Sequence, residues 1–428
     1  MYGNKRKQVV PLIITKFISY LASPSTWMLL GRAVQYMSQM ALVLVLPKVL
    51  APEEYIQFNL VLPLAFLGGT LSFGWLTNAI VRHVYELLDG DNTAIRDTVL
   101  VYYSAVVLLC FVLFVTISAN SESPYRLVSF LIAAVGLKNA VLGVLNSSGK
   151  SAGFLWANAG FGVSLLIFIL LCARSPGGDV SSYMAIWGAL DFIVAVLAWY
   201  GLGVLRIGGR RPRFDRVTAS RYLGYGAPLV ANMLGVWVIS LSDRYLLALW
   251  EPPAVVADYV LSYQLAGSVI TVPMSFLVAM LVPKMLYLEK YDGHEKAMSY
   301  NYRILAGYLR YSPVILVVSC LIVLPFKYLI YPDYGFRPAI IILIIFAHVI
   351  YSLVHFYNKE FELNGRTLVI TKSVLFGAMI NVGLNIVLIP FLGGLGAALA
   401  TLAAYTATVL TIYRSGERSR HASAGGKS

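Results

Sequence analysis

Tyr225–Leu265 reads YGAPLVANMLGVWVISLSDRYLLALWEPPAVVADYVLSYQL, two long apolar runs joined by a Glu-Pro-Pro turn, with Asp243, Arg244, Glu251 and Asp258 as its only charged residues. A run of roughly 20 apolar residues crosses the hydrocarbon core of a bilayer. Inside lipid every backbone N–H and C=O must be satisfied within the segment, so such runs are helices. The turn is too short for a domain, so the stretch is an antiparallel pair of spanning helices.

The same pattern extends in both directions. Twelve apolar runs are found, at about 26–47, 56–80, 97–118, 126–147, 152–173, 182–204, 222–250, 256–283, 304–330, 336–357, 367–391 and 393–413. The 428 residues are 59% hydrophobic and 12% charged, against about 25% charged in a soluble domain. That excludes an ordinary soluble enzyme and predicts an all-α polytopic membrane protein. Net charge is +13, but the basic residues fall between the runs and form no soluble module. The excess is therefore topogenic and faces anionic lipid; nucleic acid is not a predicted partner. Cys110, Cys172 and Cys320 lie inside apolar runs and read as packing residues, with no disulfide framework. Lys5, Arg6 and Lys7 precede the short apolar stretch Val9–Ile14, which Lys16 ends too early for a signal peptide.

With a cytoplasmic N-terminus, the inner segments hold 24 Lys and Arg and the outer ones only Lys48, Arg126, Arg174, Lys327 and Arg337. This bias puts both termini in the cytoplasm. The longest basic stretch, Arg206–Arg221, divides the chain nearly in half. The expected organisation is an N-terminal lobe at 1–205 (spans one to six), a basic linker at 206–221 and a C-terminal lobe at 222–428 (spans seven to twelve). Leu30–Leu62 repeats the pattern of the opening stretch: a long span, a Pro and Glu turn, then Tyr55 where the later copy has Tyr259, 204 residues on. Repeats of six spans share one orientation, as in two parallel bundles about an axis along the membrane normal.

Enzymatic readings find little support. No loop exceeds about 25 residues, which leaves no room for a nucleotide-binding or catalytic domain. Gly149-Lys150-Ser151 lacks the glycine five residues earlier and the preceding strand of a phosphate-binding loop, so it reads as a turn. Glu53 and Glu54 would suit a membrane glycosyltransferase, yet carboxylates at a helix start are favoured by its dipole alone. His348 and His355 share a helix face without an acidic neighbour in their span, a poor metal site. The protein is expected to be no enzyme and to need no cofactor.

With charges near the run ends counted with the loops, six are taken as lying within the spans: Arg32, Lys138, Asp191, Asp243, Arg244 and Arg310. Each costs a few kcal/mol or more in lipid unless it pairs, snorkels or lines water. Lys138 and Asp191 are near mid-depth, where a diphosphate contact and a mutual pair are both open for the lysine. Arg32 and Arg310 sit near the cytoplasmic ends, where snorkelling is also open. Asp243 and Arg244, adjacent, point about 100° apart and cannot pair face to face. The net of +2 suits an anionic headgroup, with Arg32, Lys138, Arg244 and Arg310 as binding candidates. Asp191, Asp243 and His348 are the candidates for ion coupling or pairing.

The LLGRAVQ of Leu29–Gln35, the LAPEEYIQFNLVL of Leu50–Leu62 and the SLSDRYLLAL of Ser240–Leu249, together with twelve spans, resemble the Wzx-type polysaccharide flippases. These form part of the polysaccharide transporter branch of the multidrug/oligosaccharidyl-lipid/polysaccharide exporter superfamily. The resemblance implies two six-helix lobes around a central cavity in the bacterial inner membrane. It implies transport of an undecaprenyl-diphosphate-linked oligosaccharide to the periplasmic leaflet for O-antigen, capsule or exopolysaccharide synthesis. A polysaccharide polymerase and a chain-length regulator would be its partners. By position it brings Arg32, Asp243 and Arg244 to the cavity or its gates. An ion-coupled drug exporter of the same superfamily and a membrane glycosyltransferase remain the alternatives.

Overall fold

A computed structural model describes residues 24–88, 93–121, 123–174, 178–204 and 212–425. Among these the chain is helical throughout, with twelve helices long and apolar enough to cross a membrane. They are α1 (Thr26–Val49), α2 (Pro52–Arg82), α3 (Thr93–Asn120), α4 (Pro124–Ser147), α5 (Ser151–Arg174) and α6 (Val180–Gly201), then α7 (Arg216–Trp250), α8 (Pro253–Tyr291), α9 (His294–Ile330), α10 (Pro338–Leu363), α11 (Thr367–Leu392) and α12 (Gly394–Glu417).

Local chemistry fixes many of the ends. Pro52, Pro253 and Pro338 begin helices, where a missing N–H costs nothing. Asp179 caps α6, accepting from the Ser181 N–H at 3.0 Å and the Ser182 hydroxyl at 2.6 Å. The Ser182 bond holds the Asp179 carboxyl below the ordinary carboxylate range. Within α1 the helix breaks at Val45, and α10 is interrupted at Ser352–Leu353. Helices α8 and α9 run 39 and 37 residues, about 59 and 56 Å at 1.5 Å per residue and well past the hydrocarbon.

The chain packs as two compact units. The first comprises the described residues up to Leu42 with Leu64–Ala227; the second comprises Val43–Pro63 with Pro228 onward. This division differs from a single cut at the basic linker, of which residues 206–211 lie outside the described residues. Three helices, α1, α2 and α7, carry the chain from one unit to the other, and two of the changes fall at Pro63 and Pro228. Each proline deletes a ladder hydrogen bond and crowds the carbonyl four residues back.

In the first unit α4 packs against α3, α5 and α6. Phe73, Leu76, Ile80, Leu137, Val141, Phe154 and Trp199 form one buried cluster there. In the second, α12 packs against α10 and α11, and α8 against α9 and α10. The segment Val43–Pro63 is tied into this second unit by polar bonds. Tyr331 and Tyr334 donate to the carbonyls of Leu44 and Pro47 at 2.6 and 3.1 Å, Tyr245 donates to that of Leu60 at 2.8 Å, and the Trp237 indole to that of Pro63 at 2.9 Å.

Candidate functional site

In the first unit, Lys138 on α4 donates to Asp191 on α6 at 2.8 Å. Asp191 also accepts from the Ser164 hydroxyl of α5, and the Lys138 ammonium stands 4.6 Å from the centre of the Phe161 ring. Of the two roles open to Lys138, the structure displays the pair. Arg32 is half-buried, and its guanidinium donates to the Asn146 side-chain oxygen at 3.1 Å.

Because Lys138 and Asp191 neutralise each other in an apolar bundle, removing one strands the other. Lys138→Ala and Asp191→Ala are each expected to lower membrane abundance severalfold, and the double change to restore much of it, as immunoblots of membranes would show. Lys138→Ala at normal abundance with transport lost would instead give the lysine a direct role in binding substrate.

The second unit holds a larger buried polar network. Arg244 on α7 is 5% exposed. Its guanidinium reaches the Asn59 side-chain oxygen at 3.5 Å and lies 5.5 Å from the centre of the Tyr263 ring. Its Nε has no hydrogen-bond partner, and no carboxylate comes within 4 Å of it among the described residues. Asp243 takes the Arg244 backbone N–H at 2.8 Å and the Tyr259 hydroxyl of α8, leaving the adjacent guanidinium to find other company. Asn59 in turn accepts from the Gln264 amide at 2.6 Å, and Tyr55 donates to the Gln264 carbonyl oxygen at 2.7 Å.

The network continues to His348 on α10, which is buried between the edges of Tyr263 and Tyr405 with ring centres 5.4 and 5.5 Å away. The hydroxyls of those two tyrosines share a hydrogen bond at 2.9 Å, while His348 Nε2 is unpartnered among the described residues. Opposite the imidazole is Gly267 of α8, where a Cβ would stand 2.9 Å from Nε2. Gly267 thus gives the ring its room.

Arg310 stands apart from these groups. It is exposed on α9, with its guanidinium 5.8 Å from the centre of the Tyr311 ring. Among the described residues no cluster of His, Cys, Asp or Glu is arranged to hold a metal ion.

The sequence reading missed one buried charge pair. Lys327, counted above with an outer loop, lies inside α9 at 1% exposure, donating to Asp258 of α8 and to the Ser262 hydroxyl at 2.6 Å. Arg337 stands 3.9 Å from the other Asp258 oxygen. Both residues sit near the ends of apolar runs, where charges pass for loop residues. The available signal was two opposite charges a few residues inside the same membrane face of consecutive antiparallel spans. Tyr55, Asn59, Tyr259, Tyr263 and Gln264 were also overlooked, although Tyr55 and Asn59 align with Tyr259 and Tyr263 at the same spacing of 204 in the two repeated hairpins.

No family model matches the sequence, and a comparison with curated proteins gives no match. Solved structures do match in shape over nearly the whole chain. An inward-facing multidrug resistance MATE family transporter of the MOP superfamily superposes with a TM-score of 0.62 at 14% identity, covering 92% of this chain and 94% of the other. An outward-facing MATE transporter gives 0.59 at 15% identity, with 93% and 94% covered. The lipid II flippase MurJ, in an inward closed conformation, gives 0.57 at 17% identity, with 91% and 87% covered. The chain has a MATE/MurJ-like fold. The two short helix starts that carry Tyr55 and Tyr259, and the arginine of α7, are thus set on a scaffold shared with transporters.

Proposed function

We propose that the protein is a transporter that flips an undecaprenyl-diphosphate-linked oligosaccharide from the cytoplasmic to the periplasmic leaflet of a bacterial inner membrane, in the service of surface polysaccharide synthesis. The observation that carries this reading is Arg244. A buried guanidinium that, among the described residues, bonds to an amide oxygen and stands against an aromatic face, with no carboxylate oxygen within 4 Å and Nε unpartnered, retains donors for an anion. A diphosphate fits the planar fork of guanidinium N–H groups better than any neutral cargo. Arg32 has the same kind of partner, an asparagine oxygen. With Lys138 on Asp191, Lys327 on Asp258 and Lys359 on Glu362, Arg244 is the buried cation among the described residues with no carboxylate oxygen within 4 Å, which favours an anionic headgroup over the cationic drugs of a multidrug exporter.

The transport step is alternating access. Phosphates and sugars cross in a hydrated path while the polyprenyl tail stays in lipid, so the protein removes the cost of stripping water from charged and hydroxyl groups. Pro63 and Pro228 stand where α2 and α7 change units, and a helix bends most cheaply where its ladder is already broken. Asp243 and His348 are the groups proposed to couple ion or proton movement to the cycle. Both termini face the cytoplasm, and a polymerase and chain-length regulator act on the product.

The test is reconstitution. Purified protein in liposomes is expected to speed the exposure of a labelled undecaprenyl-diphosphate oligosaccharide to an external lectin over protein-free vesicles. Transport of cationic dyes with no effect on the lipid-linked sugar would overturn the assignment in favour of a drug exporter. Sugar transfer or phosphate release would overturn it in favour of an enzyme.

A further inference from the structure

On the first unit, α5 and α6 enclose a trough of about 560 Å³ that involves none of the six intramembrane charges. Its walls include Gly153, Trp156 and Gly160 of α5 and Leu197 and Gly201 of α6, and its mouth is at Lys150. Trp156 and Leu197 are exposed along it, so the trough opens on the apolar flank of the unit. Gly201 has nothing within 4 Å of a Cβ position, so the space beside it is open. From Lys150 to Gly160 the chain rises about 15 Å, half of the roughly 30 Å hydrocarbon core and therefore the depth of one leaflet. Lys150 is exposed in the turn before α5, with no acidic partner among the described residues. By the charge bias that turn faces the cytoplasm.

We infer that this trough is a binding site for one anionic glycerophospholipid of the cytoplasmic leaflet, with an acyl chain along Gly153, Gly160 and Gly201 and the headgroup phosphate at Lys150. Three features select this occupant. The walls are almost wholly apolar, as a hydrocarbon chain needs. Their depth is a single leaflet, which suits an acyl chain and not a molecule that traverses the bilayer. The one charge at the mouth is positive, and a lysine at the surface favours an anionic over a zwitterionic headgroup by about 1 kcal/mol, roughly five-fold. Trp156 lies along the trough about 9 Å past Lys150, at the depth of an acyl chain. The lipid at this site is a bound component of the unit, distinct from the lipid-linked cargo, and the inference does not depend on what the protein transports.

Trp156 makes the site measurable. The full-length protein is reconstituted in phosphatidylcholine containing small fractions of brominated phosphatidylglycerol or brominated phosphatidylcholine, and the quenching that disappears in Trp156→Phe is assigned to the trough. Quenching by the anionic lipid is expected at about five-fold lower mole fraction than by the zwitterionic one. Lys150→Ala should erase that preference, and Gly201→Leu, which builds into the open space at that Cβ position, should weaken quenching by both lipids. Equal quenching in the unaltered protein, or a preference that survives Lys150→Ala, would overturn the site. So would release of the brominated phosphatidylglycerol by undecaprenyl phosphate at low mole fraction, since the trough would then belong to the carrier lipid. Lys150→Ala lies at an exposed turn, so a folded variant remains even if Gly201→Leu is not tolerated.

Discussion

Asp258→Ala is expected to destabilise the protein by about 3–5 kcal/mol, the cost of leaving one member of a buried ion pair without its partner. Lys327 would remain at 1% exposure with only the Ser262 hydroxyl for company. Membrane abundance and the thermal midpoint in detergent should both fall sharply. Lys327→Ala should be milder, because Arg337 stands 3.9 Å from Asp258 and can take over part of the pairing. Replacing both by apolar residues, as in Asp258→Leu with Lys327→Met, should recover most of the loss, since no uncompensated charge is left. A single Asp258→Ala protein of normal abundance and midpoint would show that the pair contributes nothing.

Arg244→Ala is expected to leave abundance nearly unchanged and to reduce transport about 10- to 100-fold, the worth of one charge-assisted hydrogen-bond set. The contrast with Asp258 follows from the partners. Asp243 keeps the Tyr259 hydroxyl and a backbone N–H, so deleting the guanidinium removes an attraction but leaves the carboxylate hydrogen-bonded. Arg244→Lys should fall between, because the charge remains and the planar fork is lost. The measurement is export of labelled lipid-linked sugar from proteoliposomes scaled to folded protein. Undiminished transport in Arg244→Ala would remove the arginine from substrate handling.

The twelve spans were legible because hydrocarbon imposes a minimum length of apolar residues that no other environment demands. Helix length was not legible. Apolar runs at 256–283 and 304–330 reported bilayer thickness, whereas α8 and α9 continue through Lys284–Tyr291 and His294–Arg303, whose polar side chains suit water as well as a helix. The adjacency of Asp243 and Arg244 correctly foretold that they would not pair face to face, since helix geometry alone decides that. Charge depth left two partners open for Lys138, and the Asp191 contact seen between α4 and α6 depends on side-chain reach, a tertiary fact. Asp258 and Lys327 escaped notice for the opposite reason: depth counted from run ends assigns both to the surface, and only packing buries them.

The membership of Val43–Pro63 in the second unit has a consequence in time. The 164 residues of Leu64–Ala227 separate this segment from the rest of its unit, and at about 5–20 residues per second their synthesis takes about 8 to 33 s. During that interval Asn59 waits without Arg244 or Gln264, and the carbonyls of Leu44 and Pro47 wait without Tyr331 and Tyr334. The nascent chain therefore carries a half-finished polar surface through the translocation machinery, and whatever shields it until α7, α8 and the end of α9 have emerged bears on the yield of folded protein.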